Sequence, residues 1–128
     1  MKPAPLETEE DLQLVKEFIL LPLLLDVLER DISALETTPL KMFIIYTKKL
    51  RHIQDQITAD LVPIRTKLRE RGIKIYEQKR TKMRIEACYL CRGYHRHFSM
   101  LWGLVKAELH VKLSMYLDID VRSSSHES

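Results

Sequence analysis

The sequence predicts an all-α fold, an elongated up-down-up bundle of three helices forming one domain over residues 1–128. Three observations carry this expectation. Apolar residues recur at spacings of three and four along most of the chain, the period of one helix face. Leu, Lys, Glu and Arg, all good helix formers, dominate the composition. Gly occurs only three times, and four of the five prolines stand at or before position 39. That leaves few of the turn signals that a many-stranded fold requires.

Residues 1–7, with Pro3 and Pro5, read as a tail. Thr8 followed by Asp11 has the form of a capping box, and Glu9, Glu10 and Asp11 complement the positive end of a helix dipole. Leu12, Val15, Ile19, Leu23 and Val27 then mark the apolar face of a first helix. Pro22 removes a backbone donor and crowds the preceding turn, which predicts a kink there. The run "FILLPLLL" at 18–25 is eight residues long, ends at Asp26 and follows an acidic stretch. It is too short to span a bilayer and lacks the basic start of an export signal, so it reads as buried helix. The helix is predicted to stop near Glu36.

The "TTP" at 37–39 reads as a cap with Pro39 at the first position of a second helix. Phe43, Tyr46, Leu50, Ile53, Ile57, Leu61, Ile64 and Leu68 form its near-heptad seam. Pro63 predicts a bend and Gly72 the end. In "GIKIYE" at 72–77, Ile73 and Ile75 alternate with Lys74 and Tyr76, which predicts a short extended connector but, with no partner strand in view, no sheet. A third helix is predicted from Thr81 to about Leu117. Its seam is Ala87, Cys91, Tyr94, Phe98, Leu101, Trp102, Val105, Leu109, Leu113 and Tyr116. Residues 121–128 read as a polar tail.

The stretch "CYLCRGYHRHF" at 88–98 is the one concentration of soft ligands. On a helix, at about 100° per residue, Cys88, Cys91 and His95 fall within roughly 60° of each other, the face a zinc ion would use. Zinc takes four ligands, commonly as two separated pairs, and here there is one pair. His97 points elsewhere on the wheel, and His52 is the only obvious histidine to come from another helix. Haem attachment needs His directly after the second Cys, where this chain has Arg92. A redox CxxC belongs at a helix start after a strand. Cys88, Cys91 and His95 are therefore the metal candidates, and the expectation is that they hold none. The thiols are expected to be free in a reducing cytoplasm, with Cys91 packed as a small hydrophobe. There is no GxGxxG, P-loop, HExxH, nucleophile elbow or Glu-x-x-His pair. No catalytic residue and no cofactor is nominated, and the chain is not expected to be an enzyme.

Charge is the other uneven feature. Residues 65–84 hold Arg65, Lys67, Arg69, Arg71, Lys74, Lys79, Arg80, Lys82 and Arg84 against Glu70 and Glu77. Nine bases minus two acids give +7 in a chain of net +3. Such a segment can bind anions, and nucleic acid is the second reading of function. An anionic membrane surface would meet the same charges. Residues 7–36 carry nine acids against Lys16 and Arg30, a local net of −7. The chain's own N-terminal helix thus competes for the basic segment.

The patterns "LLPLLLDVLERD" (20–31), "KIYEQKR" (74–80) and "CRGYHRHF" (91–98) resemble the small YhjD-like proteins of spore-forming bacteria, over roughly residues 12–117. The resemblance implies a bacterial, intracellular, largely helical protein linked to sporulation. It brings no catalytic or binding residues with it. The leading functional expectation is a small helical interaction or regulatory module that meets a protein partner. Self-association as a homodimer would cover the apolar faces of helices one and three, which exceed what two neighbours can bury.

Overall fold

The computed structural model describes residues 6–119 and overturns the all-α expectation. The elements are α1 (Glu9–Glu36), α2 (Phe43–Glu70), β1 (Ile73–Arg80), β2 (Arg84–Cys91), β3 (Tyr94–Leu101) and α3 (Trp102–Tyr116). The three strands form one antiparallel sheet in the order β1-β2-β3, so the fold is α+β. Most of the two predicted tails, residues 1–5 and 121–128, lies outside the described residues.

The first helix follows its local signals. The Thr8 hydroxyl accepts from the Asp11 N–H while the Asp11 carboxylate accepts from the Thr8 N–H, and α1 ends at Glu36 as predicted. Both α1 and α2 continue through their internal prolines, Pro22 and Pro63. The start of α2 is a correction: it begins at Phe43, not Pro39. The hydroxyls of Thr37 and Thr38 donate back to the Ala34 carbonyl, so they close α1 instead of capping α2. Gly72 does end α2, at φ +70, a left-handed position that suits a residue without Cβ.

The predicted third helix is the main error. Only its last part, from Trp102, is helical; residues 73–101 are a meander of three eight-residue strands. The predicted connector is β1, and its partner is β2, with Ile73 opposite Cys91 and Ile75 opposite Tyr89. Tyr76 is an extra residue between the Ile75–Tyr89 and Glu77–Cys88 pairs, a bulge that bends the edge strand. Arg92 and Gly93 make the two-residue turn between β2 and β3, both with positive φ (51° and 90°). That sign pattern matches the primed turns whose twist suits a hairpin.

The core has two parts joined by α1. Val15, Ile19, Leu20 and Leu23 pack on Leu68 and on the sheet face formed by Ile73, Ile85, Ala87, Tyr89, Cys91 and Phe98, with Val105 from α3. Leu21, Leu24 and Leu28 pack on Ile53, Ile57 and Leu61 of α2. The apolar run at 18–25 is thus buried because α2, the sheet and α3 enclose α1 from several sides. Two residues of the predicted first-helix face, Leu12 and Val27, are exposed instead, and so are Phe43 and Tyr46 at the head of the predicted α2 seam.

Candidate functional site

The CxxC pair is divided by the strand. Residues three apart on β2 point to opposite faces, so Cys91 lies in the core while Cys88 sits on the outer face, opposite Glu77 and His97. The Cys88 thiol lies 3.9 Å from a Glu77 carboxylate oxygen. His95 shares that outer face, where its Nδ1 meets the Tyr76 hydroxyl at 3.0 Å with the two rings edge to face. The clustering of Cys88, Cys91 and His95 expected on a helical wheel therefore does not exist. Among the described residues, no group of three or more His, Cys, Asp or Glu side chains is arranged to hold a metal ion. Both cysteines are free thiols, and burial pushes the Cys91 thiol pKa up.

The basic segment is also dispersed. Arg71 is engaged by Glu10 and Asp11, Arg80 reaches Asp26 at 3.6 Å, and Arg84 donates to the Ser99 hydroxyl. Arg65, Arg69 and Lys74 line a shallow cleft of about 600 Å³ beside Phe18, Leu68 and Leu90. Lys79 lies five residues further along β1, about 16 Å away at strand spacing. Lys82 follows in the β1–β2 turn, and Lys67 belongs to α2. The nine bases do not converge on one ligand-sized site.

The tightest polar constellation is one the sequence only half reveals. Asp11 is 1% exposed, and its carboxylate accepts from Arg92 Nη2 at 2.6 Å, Arg71 Nη1 at 3.0 Å and the Thr8 N–H at 2.9 Å. Burial alone would raise its pKa, but the hydrogen bonds from Arg92, Thr8 and Arg71 outweigh it and hold the carboxyl well below the usual carboxylate range. Arg92 Nη1 donates to the Arg71 carbonyl, and the Arg92 N–H donates to the Gly72 carbonyl. Nearby, the Tyr89 hydroxyl donates to Glu7, and burial together with that carboxylate raises the tyrosine pKa. This cluster ties the start of α1 to the end of α2 and to the β2–β3 turn. Its charges are matched within the protein, so its chemistry is that of a fastening. The capping box marks Asp11 in the sequence; no local signal marks Arg92, which reaches it from 81 residues away.

A groove of about 750 Å³ lies between α1 and α3. Leu23, Leu24 and Val27 from α1 and Val105, Leu109 and Leu113 from α3 form its apolar lining; Asp26, Arg30, Asp31, Arg80, Lys106 and His110 also border it. Helix α3 is held beside α1 by the Lys16–Glu108 pair at 2.9 Å and the Lys112–Glu17 pair. Its far end is tied to α2 by the Tyr116 hydroxyl, which donates to Asp60 at 2.6 Å. Away from these contacts, α3 presents Leu104, Val111 and Met115 to solvent, 57%, 51% and 74% exposed. Among the described residues, no helix is long and apolar enough to cross a membrane.

A family model described as "YhjD protein" matches residues 6–121. No curated protein and no solved structure gives a significant match. The family match takes in α1, α2, the whole meander and α3, and on that extent the chain belongs to the YhjD family.

Proposed function

We propose that the protein is a small non-enzymatic interaction module that self-associates through α3. The observation that carries this reading is the stripe Leu104, Val111 and Met115, seven and four residues apart and so on one side of the helix. It runs for about 16 Å along the axis. It lies on the flank away from Val105, Leu109 and Leu113, so the apolar surface of α3 exceeds what α1 and β3 cover. Glu108, paired with Lys16, stands between Leu104 and Val111 on this side, so the stripe is three exposed apolar side chains around one engaged acid, a surface that a second copy can bury. Two copies crossing stripe on stripe about a two-fold axis would cover it in a closed, isologous contact.

Sedimentation velocity over a micromolar concentration range tests the reading. The expected result is a reversible dimer that Val111→Glu converts to monomer with an unchanged circular dichroism spectrum. A wild-type chain that stays monomeric throughout would remove the proposal. Nucleic acid is the second reading, favoured by one observation: Arg65, Arg69 and Lys74 share a cleft. Titration of duplex DNA at increasing salt tests it, with a steep loss of affinity expected if phosphates are the ligand.

A further inference from the structure

Residues 37–52, the turn between the long helices and the first turns of α2, contain Lys41, Lys48, Lys49 and Arg51 and no Asp or Glu. Within them Phe43, Ile44, Ile45 and Tyr46 occupy four successive positions at the start of α2. At about 100° per residue they cover the whole circumference of that turn. All four are exposed, Ile44 and Ile45 by 55% and 57%, and Met42 just before them is exposed as well. Helix stability does not explain this composition, because α2 has no acid in its first turn and no side-chain cap at Met42, the features that favour a helix start. Further along α2 the burial becomes one-sided, at Ile53, Ile57, Leu61 and Leu68. A protein partner laid against the helix would cover one face. A turn that is apolar all round suits a medium that surrounds it.

We propose that this tip of the α1–α2 hairpin is a peripheral anchor that inserts into an anionic bilayer surface. One helical turn is about 5 Å long, which matches the roughly 5–10 Å depth at which interfacial elements bury apolar side chains. Lys48 and Lys49 follow the apolar turn toward the body of the protein and meet the level of the lipid phosphates when the turn is inserted. Lys41, in the connector on the other side of the turn, reaches the phosphates by extending its long side chain back toward them. Arg51 contributes less, because Glu36 and Glu29 hold it at 3.5 and 3.9 Å. The tip is separate from the α3 stripe, so the two surfaces can be tested independently.

The full-length protein is mixed with vesicles of phosphatidylcholine alone or of phosphatidylcholine with phosphatidylglycerol, and binding is read by flotation. Binding is expected only with the anionic lipid, and it weakens as salt is added. A basic residue near such a surface strengthens binding about fivefold, so Lys41→Gln/Lys48→Gln/Lys49→Gln should lower partitioning about 100-fold. Ile44→Asp/Ile45→Asp should abolish it. Both variants replace exposed side chains, and unchanged melting curves would show that the fold is intact. Failure of the wild type to bind anionic vesicles at low salt would overturn the proposal. So would undiminished binding of Ile44→Asp/Ile45→Asp, which would assign the contact to the basic segment at 65–84. If that variant instead loses self-association, the tip is a contact between copies and the membrane reading is wrong.

Discussion

Asp11 stays ionised inside the protein because three donors, from Thr8, Arg71 and Arg92, converge on its two oxygens. Removing the charge takes from Arg92 the carboxylate it shares with Arg71 and leaves Arg71 with Glu10 alone. Asp11→Asn should therefore destabilise by about 2–3 kcal/mol, less than the ~3–5 of a fully buried pair because both arginines keep contact with water. The pH dependence follows from the direction of the shift. The folded pKa lies below the unfolded value of about 4, so the stabilisation is complete above that pH and is lost as pH falls toward the folded value. Thermal melts between neutral pH and pH 3 should show an acid-side loss in the wild type that is shallower in Asp11→Asn. Equal slopes would assign the acid sensitivity to other carboxylates. The two cysteines differ in the same physical way. Cys91 is buried with a raised pKa and Cys88 is half-buried on the outer face. Native protein treated with iodoacetamide should carry the label on Cys88, with Cys91 reacting only on unfolding, as read by peptide mass spectrometry.

At the scale of elements, the junction of α2, β1 and the β2–β3 turn is held by backbone geometry as well as by charge. Gly72 has φ +70, its carbonyl accepts from the Arg92 N–H, and a Cβ there would lie 3.2 Å from Arg92 Cγ. Gly72→Ala combines left-handed strain with pressure on the arginine that neutralises Asp11. It should lower stability by about 1–2 kcal/mol, measurable as a shift of the urea midpoint at constant slope. A neutral outcome would mean that α2 ends in another conformation. Helix α1 shows the opposite kind of constraint. Its middle is enclosed by α2, the sheet and α3, which is why "FILLPLLL" can be apolar without being a membrane segment.

At the scale of the whole molecule, the acidic and basic halves meet at particular points only. Arg71 with Glu10 and Asp11, and Arg80 with Asp26, join the basic segment to α1. The remaining bases are spread over α2, both ends of β1, the following turn and the start of β2, so the local +7 acts as a diffuse field more than as a pocket. The apolar surfaces are more concentrated, on α3 and at the hairpin tip. Association through α3 would make the melting temperature rise with protein concentration, because mass action stabilises whatever a second copy binds. Val111→Glu should remove that dependence.

The sequence by itself determined the two long helices and several of their limits, because those signals are local. Thr8 and Asp11 sit three residues apart and bond to each other's backbone, and Gly72 supplies the left-handed residue that ends α2. The meander reads as helix in the sequence because a spacing of four belongs to both periods: it is close to one helical turn and is also two strand repeats. Ala87 and Cys91, or Tyr94 and Phe98, satisfy either. The distinguishing signs were Ile85, Ala87, Tyr89 and Cys91 at unbroken intervals of two, and the Arg92–Gly93 turn that follows. Tertiary structure alone decided that Cys88 and Cys91 face apart and that Arg92 neutralises Asp11. It also decided that the apolar first turn of α2 is left uncovered while equally apolar residues of α1 are buried. Those outcomes depend on which surfaces meet across the chain, and no spacing along the chain encodes a meeting between residues 11 and 92.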